Sequence, residues 1–148
     1  MGRFDNQRKV KYLDDAFTIT KNTELIDKYK VFVSKADGAA GQIGNPIPAK
    51  ILGKPEFGDI NQICTETFLA IGPFDSKEQT NNVCEYMKTK FFRFMVGIRK
   101  NKNMTQDTYS YAPLLDFNEK WSDFKLYNKY SLTQDDIDYI EYMIKSAE

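Results

Sequence analysis

The chain has 148 residues, of which 41% are hydrophobic, so it can bury the core of one domain. Its 21 basic and 21 acidic side chains cancel, and net charge alone therefore indicates no polyanionic partner. The sequence contains no histidine, which removes the commonest general base and the commonest zinc ligand, and its two cysteines form no CxxC pair. We expect both thiols to be reduced, buried apolar groups.

The first half of the chain predicts an arm followed by short strands. Residues 1–22 are charged, with scattered aromatic side chains and no apolar signal segment, so we expect an N-terminal arm or linker on a cytoplasmic protein. No apolar run is long enough to span a membrane. We expect a short helix over Thr23–Tyr29, a strand over Lys30–Lys35, a loop over 36–48, a short strand over Ala49–Leu52, a turn over Gly53–Gly58 and a strand over Ile63–Ile71 closed by Gly72-Pro73.

The second half predicts helices. Ser76 and Gln79 have the spacing of a capping box, and the apolar residues that follow recur every three or four positions, as on one buried helix face. Ser122–Tyr130 predicts a short helix, and Thr133 is the expected N-cap of another. We therefore predict a single α+β domain, with a small mixed β-sheet from the first half packed against helices from the second half. The expected helix faces are Val83, Met87, Phe91, Phe94, Met95 and Ile98 in the first long helix, and Ile137, Ile140, Met143 and Ile144 in the last.

Charge is unevenly distributed along the chain. Residues 76–102 carry seven Lys or Arg and two Glu, a difference of +5, whereas residues 115–148 carry eight acids and four lysines, a difference of −4. A glycine-rich loop that allows close backbone approach precedes the basic segment. Both features are also compatible with an ordinary surface loop and solvated cations. If the domain binds DNA, the candidate contacts are Ser34, Lys35, Gly38, Gly41, Gln42, Lys90, Arg93, Arg99, Lys100 and Lys102.

Catalytic motifs are weak or missing. The sequence has no P-loop, and the glycines at 38, 41 and 44 do not have dinucleotide-binding spacing. Asn45-Pro46 is followed by Ile47, which departs from the motif of amino-methyltransferases. We therefore predict no catalytic residue and no metal ligand. One alternative remains open: Asp116, Asp123 and Lys125 could serve a small Mg²⁺-dependent nuclease, in which carboxylates hold the metal and a lysine stabilises charge.

Several sequence blocks carry a resemblance to a known family. The blocks are Lys30–Gly41, Ile63–Phe74, Met87–Phe94, Thr108–Phe117, Trp121–Asp123, Leu126–Thr133 and Asp136–Glu141. With its blocks in this order, the chain resembles the C-terminal specificity region of adenine-specific DNA methyltransferase subunits from type II restriction–modification systems, including fused nuclease–methyltransferase enzymes. The resemblance covers roughly residues 28–146.

The resemblance implies that residues 23–148 form a DNA target-recognition domain that reads double-stranded DNA. An upstream methyltransferase domain would be its partner and would hold S-adenosylmethionine, while this chain would need no cofactor. The C-terminal aromatic segment would be structural, with Trp121, Tyr127 and Ile140 packed into the domain. A second alternative is a protein-docking module that uses exposed aromatic side chains such as Tyr109 and Tyr111.

Overall fold

A three-stranded antiparallel sheet forms from the most β-prone segments of the first half. β3 (Tyr29–Ser34) is the central strand, between β4 (Glu56–Gly58) and β5 (Phe68–Phe74). Val31 and Phe32 point to opposite faces of β3 and are both buried, so both faces of the central strand are covered. The fold is α+β, with the strands in the first half and the helices later. The computed structural model describes residues 1–4, 7–36, 41–100 and 104–147.

The sheet differs from the sequence prediction in four ways. All pairings between its strands are antiparallel, whereas we expected a mixed sheet. β5 begins later than expected and continues through Gly72-Pro73, because an edge strand tolerates a proline that cannot donate to the ladder. Glu56–Gly58, expected to be a turn, forms β4, and the expected strand over Ala49–Leu52 is replaced by one isolated bridge between Ala49 and Ile144.

The predicted long helix is two helices, α1 (Lys77–Lys88) and α2 (Lys90–Arg99), which meet at Thr89. Thr89 has extended backbone angles; its hydroxyl donates to the Tyr86 carbonyl at 2.7 Å and accepts from the Phe92 amide at 3.1 Å. This break rotates the buried face of α2 relative to a continuous helix. Ile98, predicted to be in the core, is consequently 51% exposed.

The ends of the other helices follow their capping residues. α3 (Asp123–Lys129) begins after Ser122, and α4 (Gln134–Met143) begins after Thr133, which forms a reciprocal capping box with Asp136. The N-cap prediction for Thr133 and the short helix predicted over Ser122–Tyr130 are both confirmed. At α1, the Ser76 side chain accepts from the Gln79 amide, but the Gln79 side chain accepts from the amide of Asp75 instead of that of Ser76. The box at α1 is therefore only half formed.

The start of the chain touches the domain. β1 (Gly2–Phe4) and β2 (Gln7–Lys9) pair with each other, and the Thr65 amide donates to the Met1 carbonyl at 3.0 Å. The expected helix at Thr23–Tyr29 is reduced to a 3₁₀ turn over Thr23–Leu25. In the described part of the chain, no helix combines the length and hydropathy that a bilayer crossing requires.

Candidate nucleic-acid interface

Two segments predicted from the sequence to bind DNA meet at one end of the domain. The end of β3 contacts the chain that follows α2, since the Met104 amide donates to the Lys35 carbonyl at 3.3 Å. The far end of the glycine-rich loop also reaches α2, since the Lys100 ammonium lies 3.1 Å from the Gly41 carbonyl oxygen. The loop after β3 and the C-terminal end of α2 therefore form one continuous region.

The polar side chains of this region come from several elements. Lys35 is half-buried at the end of β3, Gln42 is exposed in a tight turn, and Arg99 is exposed at the end of α2. Lys50 is exposed on the returning arm of the loop, the segment that leads away from the turn at Gln42. It directly follows Ala49, whose bridge to Ile144 brings the exposed Lys145 alongside. The loop–helix surface is defined here as Lys35, Gln42, Lys50, Arg99 and Lys145.

Lys50 and Lys145 were not among the residues predicted from the sequence. The Ala49 amide donates to Met143 and the Lys145 amide donates back to Ala49, at 2.7 and 3.0 Å. Ala49 and Ile144 form a parallel bridge, and both side chains point into the core. Because successive residues point to opposite sides, the next residue on each segment, Lys50 and Lys145, points away from the core. Only this long-range pairing makes the two lysines neighbours, so no local pattern could have indicated them.

The backbone of the loop is tightly fitted. The Gln42 amide donates to the Asn45 carbonyl and the Asn45 amide donates back, at 3.0 and 2.9 Å. Gly41 is buried, and a Cβ atom there would lie 2.8 Å from the Lys50 carbonyl oxygen, so glycine is required by close backbone approach. The Ser34 hydroxyl donates to the Ala36 carbonyl at 2.8 Å. Gly41 and Ser34 thus shape the loop, while Gly38 and Lys102, also predicted to bind DNA, lie outside the described residues.

Arg93 corrects the prediction of an exposed basic helix. Its side chain is 2% exposed, and its guanidinium donates to the carbonyls of Leu52 and Gly53 at 3.1 and 3.4 Å. The break at Thr89 turns this position of α2 inward, where a cation must be bonded to tolerate burial. Arg93 therefore holds the returning arm of the loop and is not placed to contact a phosphate.

Lys100 requires the same correction. It is 8% exposed, and its ammonium donates to the carbonyls of Gly41 and Ile51 at 3.1 and 2.5 Å. Gly41 and Ile51 are buried as well, so the Lys100 ammonium binds these carbonyl oxygens inside the domain and is not placed to contact a phosphate.

Lys90 lies at the opposite end of α2, about 14 Å along the helix axis from Arg99 at 1.5 Å per residue. Its ammonium forms an ion pair with Glu141 at 2.5 Å and is largely covered. Arg99 itself pairs with Asp107 at 3.1 Å and lies over the Tyr111 ring, 5.3 Å from its centroid. Of the predicted cations of α2, only Arg99 belongs to the loop–helix surface.

The nuclease candidates do not form a metal-binding arrangement in this structure. Both Asp123 oxygens accept backbone amides at the start of α2, and burial raises the pKa of this carboxyl. Lys125 pairs with Glu119 at 2.8 Å, and Asp116 accepts the amide of Asn118 at 2.9 Å. Among the residues that the structure describes, no group of three or more potential metal-ligating side chains is present.

A groove of about 500 Å³ runs beside the edge strand β5. The chain segment that follows α2 forms its other wall. Tyr109, predicted as a docking residue, lines this groove, whereas Tyr111 is exposed beneath Arg99. The apolar lining of the groove includes Leu69, Ile71, Met87, Phe92, Tyr109 and Phe117.

Comparison with known proteins gives no match: no protein-family model, curated protein or solved structure is similar enough to this chain to be assigned.

Proposed function

We propose that this chain is a DNA target-recognition domain that contacts a duplex through the loop–helix surface. The observation that carries the proposal is that hydrogen bonds join the segments that carry Lys35, Gln42 and Arg99, three predicted contact residues from separate elements. Lys50 and Lys145 add two exposed cations to the same surface. The resemblance to methyltransferase specificity regions supports the same function.

The chemistry of this surface suits DNA recognition. Lysine and arginine neutralise phosphates and release counterions, which gives affinity that depends on salt but not on sequence. An amide such as that of Gln42 can donate and accept at once, as bidentate recognition of adenine in the major groove requires. Because Gln42 sits in a turn held by two backbone hydrogen bonds, it can be presented to a base edge at low entropic cost.

The proposed domain binds DNA and leaves the chemistry to a partner. An upstream methyltransferase domain with its S-adenosylmethionine would supply catalysis in the cytoplasm. In this arrangement the loop–helix surface would fix the register of the duplex relative to that catalytic domain.

Anisotropy titration of a labelled duplex at several salt concentrations tests the proposal. The double variant Lys35→Gln/Arg99→Gln should bind more weakly. The negative slope of log affinity against log salt should become shallower by about 1.8, at about 0.9 per lost phosphate contact. Lys77→Gln is the matched control, because Lys77 pairs with Asp59 near the opposite end of β3. It should leave the slope unchanged.

Two results would contradict the proposal. One is the absence of duplex binding by the unmodified chain at low salt. The other is an equal effect of Lys77→Gln and the double variant, since that would indicate non-specific attraction to any surface cation.

A protein-docking function is the second candidate, and the groove beside β5 favours it. β5 is an uncharged edge strand, and its part before Gly72-Pro73, Phe68–Ile71, can pair with an extended chain. The fitting occupant is therefore an extended apolar segment of a partner protein. Ile71→Lys would place a charge in the groove; it should abolish partner binding and leave duplex binding intact if the groove serves docking.

A further inference from the structure

We propose that Lys100 is a positioning residue for DNA recognition: its buried ammonium fixes the turn that carries Gln42 against the end of α2. This inference rests on the proposed function, because it assigns the loop–helix surface as the site that Lys100 serves. It replaces the sequence-based interpretation of Lys100 as a phosphate contact.

The geometry is that of a clamp across the loop. Gly41 and Ile51 lie on the two arms of the loop, and the Lys100 ammonium donates to the carbonyl oxygen of each. Hydrogen bonds from an ionised donor are about twice as strong as neutral ones. Because the side chain is 8% exposed, its charge cannot reach a phosphate while it holds both carbonyls.

Neighbouring contacts show that the loop is seated on α2 at several points. A Cβ atom at Gly97 would lie 2.9 Å from the Ile43 side chain and 3.0 Å from that of Ile51, so α2 and the loop are in close contact there. Arg93 binds the next two carbonyls beyond Ile51. The two residues that flank Gln42 are both held against the end of α2, Ile43 by apolar contact at Gly97 and Gly41 by the hydrogen bond from Lys100.

The consequence for binding differs between the two roles that Lys100 could have. A phosphate contact contributes to the salt dependence of binding at every sequence. A positioning residue instead affects base reading, since a productive contact must be held to within about 0.5 Å. Removal of Lys100 should therefore reduce sequence preference and leave the salt slope unchanged.

The test compares Lys100→Met, Lys100→Arg and Arg99→Met in the full chain. The first readout is hydrogen exchange of the Gln42 and Asn45 amides, which are bonded within the turn. The second readout is sequence preference, measured as the ratio of two affinities at several salt concentrations. One affinity is for the best duplex selected from a random pool, and the other is for the unselected pool. In Lys100→Met, these two amides should exchange roughly tenfold faster, and the preference for the selected duplex should fall about tenfold. The dependence of affinity on salt should stay unchanged.

The two other variants separate the roles. Lys100→Arg keeps a cation that can donate to two carbonyls, so it should restore a large part of the amide protection. Arg99→Met should lower the salt slope by about 0.9 without changing exchange in the turn. If Lys100→Met does not fold, Lys100→Gln provides the same test, because its neutral amide removes the charge but keeps a hydrogen-bond donor for the loop carbonyls.

Two outcomes would overturn the inference. A fall in salt slope for Lys100→Met with unchanged amide exchange would make Lys100 a phosphate contact. Faster exchange with unaltered sequence preference would show that the turn does not read bases. Failure of the unmodified chain to bind any duplex would overturn the proposed function instead; the exchange measurement would still report whether Lys100 holds the turn, so the two failures are distinguishable.

Discussion

Asp123 Oδ1 lies 2.8 Å from the backbone nitrogen of Phe91, and the second oxygen of the same carboxylate lies 3.0 Å from that of Lys90. The first residue of α3 therefore caps the first turn of α2. Together with the Thr89 hydroxyl, which accepts from Phe92, it satisfies three amides that a helix start leaves without intrahelical partners. The loop–helix surface lies at the other end of this same helix.

Asp123→Ala should therefore destabilise the domain by about 1–3 kcal/mol, because it leaves two half-buried amides of α2 without their acceptor. Urea unfolding at neutral pH measures this loss. Asp135→Ala is the control, since Asp135 also lies in the first turn of a helix but is exposed there; it should cost less than about 1 kcal/mol. Equal losses for the two variants would show that the contact from α3 to α2 does not matter.

Local chemistry explains which parts of the fold could be predicted. Thr133 was recognised as an N-cap because capping depends on residues within one turn of chain. The break at Thr89 was missed, since threonine is tolerated inside helices and its capping role appears only when Asp123, distant in sequence, completes it. The missed break also explains why the prediction for Arg93 was wrong, because a continuous helix would have left the Arg93 side chain exposed.

The candidate site was predictable in part for the same reason. Lys35 and Arg99 were found because cations beside a loop and at a helix end are local features of the sequence. Their convergence depends on the contact between Lys35 and Met104, and the contribution of Lys50 depends on the bridge to Ile144. Such pairings join distant positions, and no periodicity within one segment encodes them.

Arg93→Met should destabilise the domain by about 2–4 kcal/mol, because the carbonyls of Leu52 and Gly53 would lose a charged donor. Methionine keeps much of the side-chain volume, so the loss reports mainly on the hydrogen bonds. Arg99→Met, at an exposed position, should change stability by less than about 1 kcal/mol. Chemical denaturation of both variants measures the difference. A smaller loss for Arg93→Met than for Arg99→Met would be incompatible with the buried position of Arg93.

Gly41→Ala and Gly44→Ala should differ in their consequences although both lie in the same loop. At Gly41 the new Cβ atom would meet the Lys50 backbone, with the carbonyl oxygen at 2.8 Å, so the loop must move. At Gly44 the Cβ atom would meet nothing within 4 Å, and the cost is only that of a positive φ, about 1 kcal/mol.

The measurement for this glycine pair is amide exchange at Gln42 and Asn45 together with urea unfolding. Gly41→Ala should be the more destabilising variant, and it should also weaken duplex binding if the turn is part of the DNA surface. Greater damage from Gly44→Ala would mean that the loop is less closely packed on Lys50 than the structure indicates.

Cys84 should make the domain less stable at alkaline pH. It is 6% exposed, and burial raises the pKa of its thiol from 9.0 to about 11. Between these two values the unfolded chain releases the proton while the folded chain keeps it. The unfolded state then binds fewer protons, so the free energy of unfolding falls as pH rises through this window, by at most about 2–3 kcal/mol.

Comparison of the unmodified chain with Cys84→Ala isolates that contribution, since alanine cannot ionise and its lost packing is independent of pH. Urea unfolding at pH 8 and pH 10.5 should show a steeper loss of stability in the unmodified chain. Tyrosines such as Tyr86 and Tyr127, whose pKa values burial also raises, contribute equally to both proteins and cancel in the difference. Parallel pH profiles for the two proteins would mean that the Cys84 thiol is as accessible to solvent in the folded domain as in the unfolded chain.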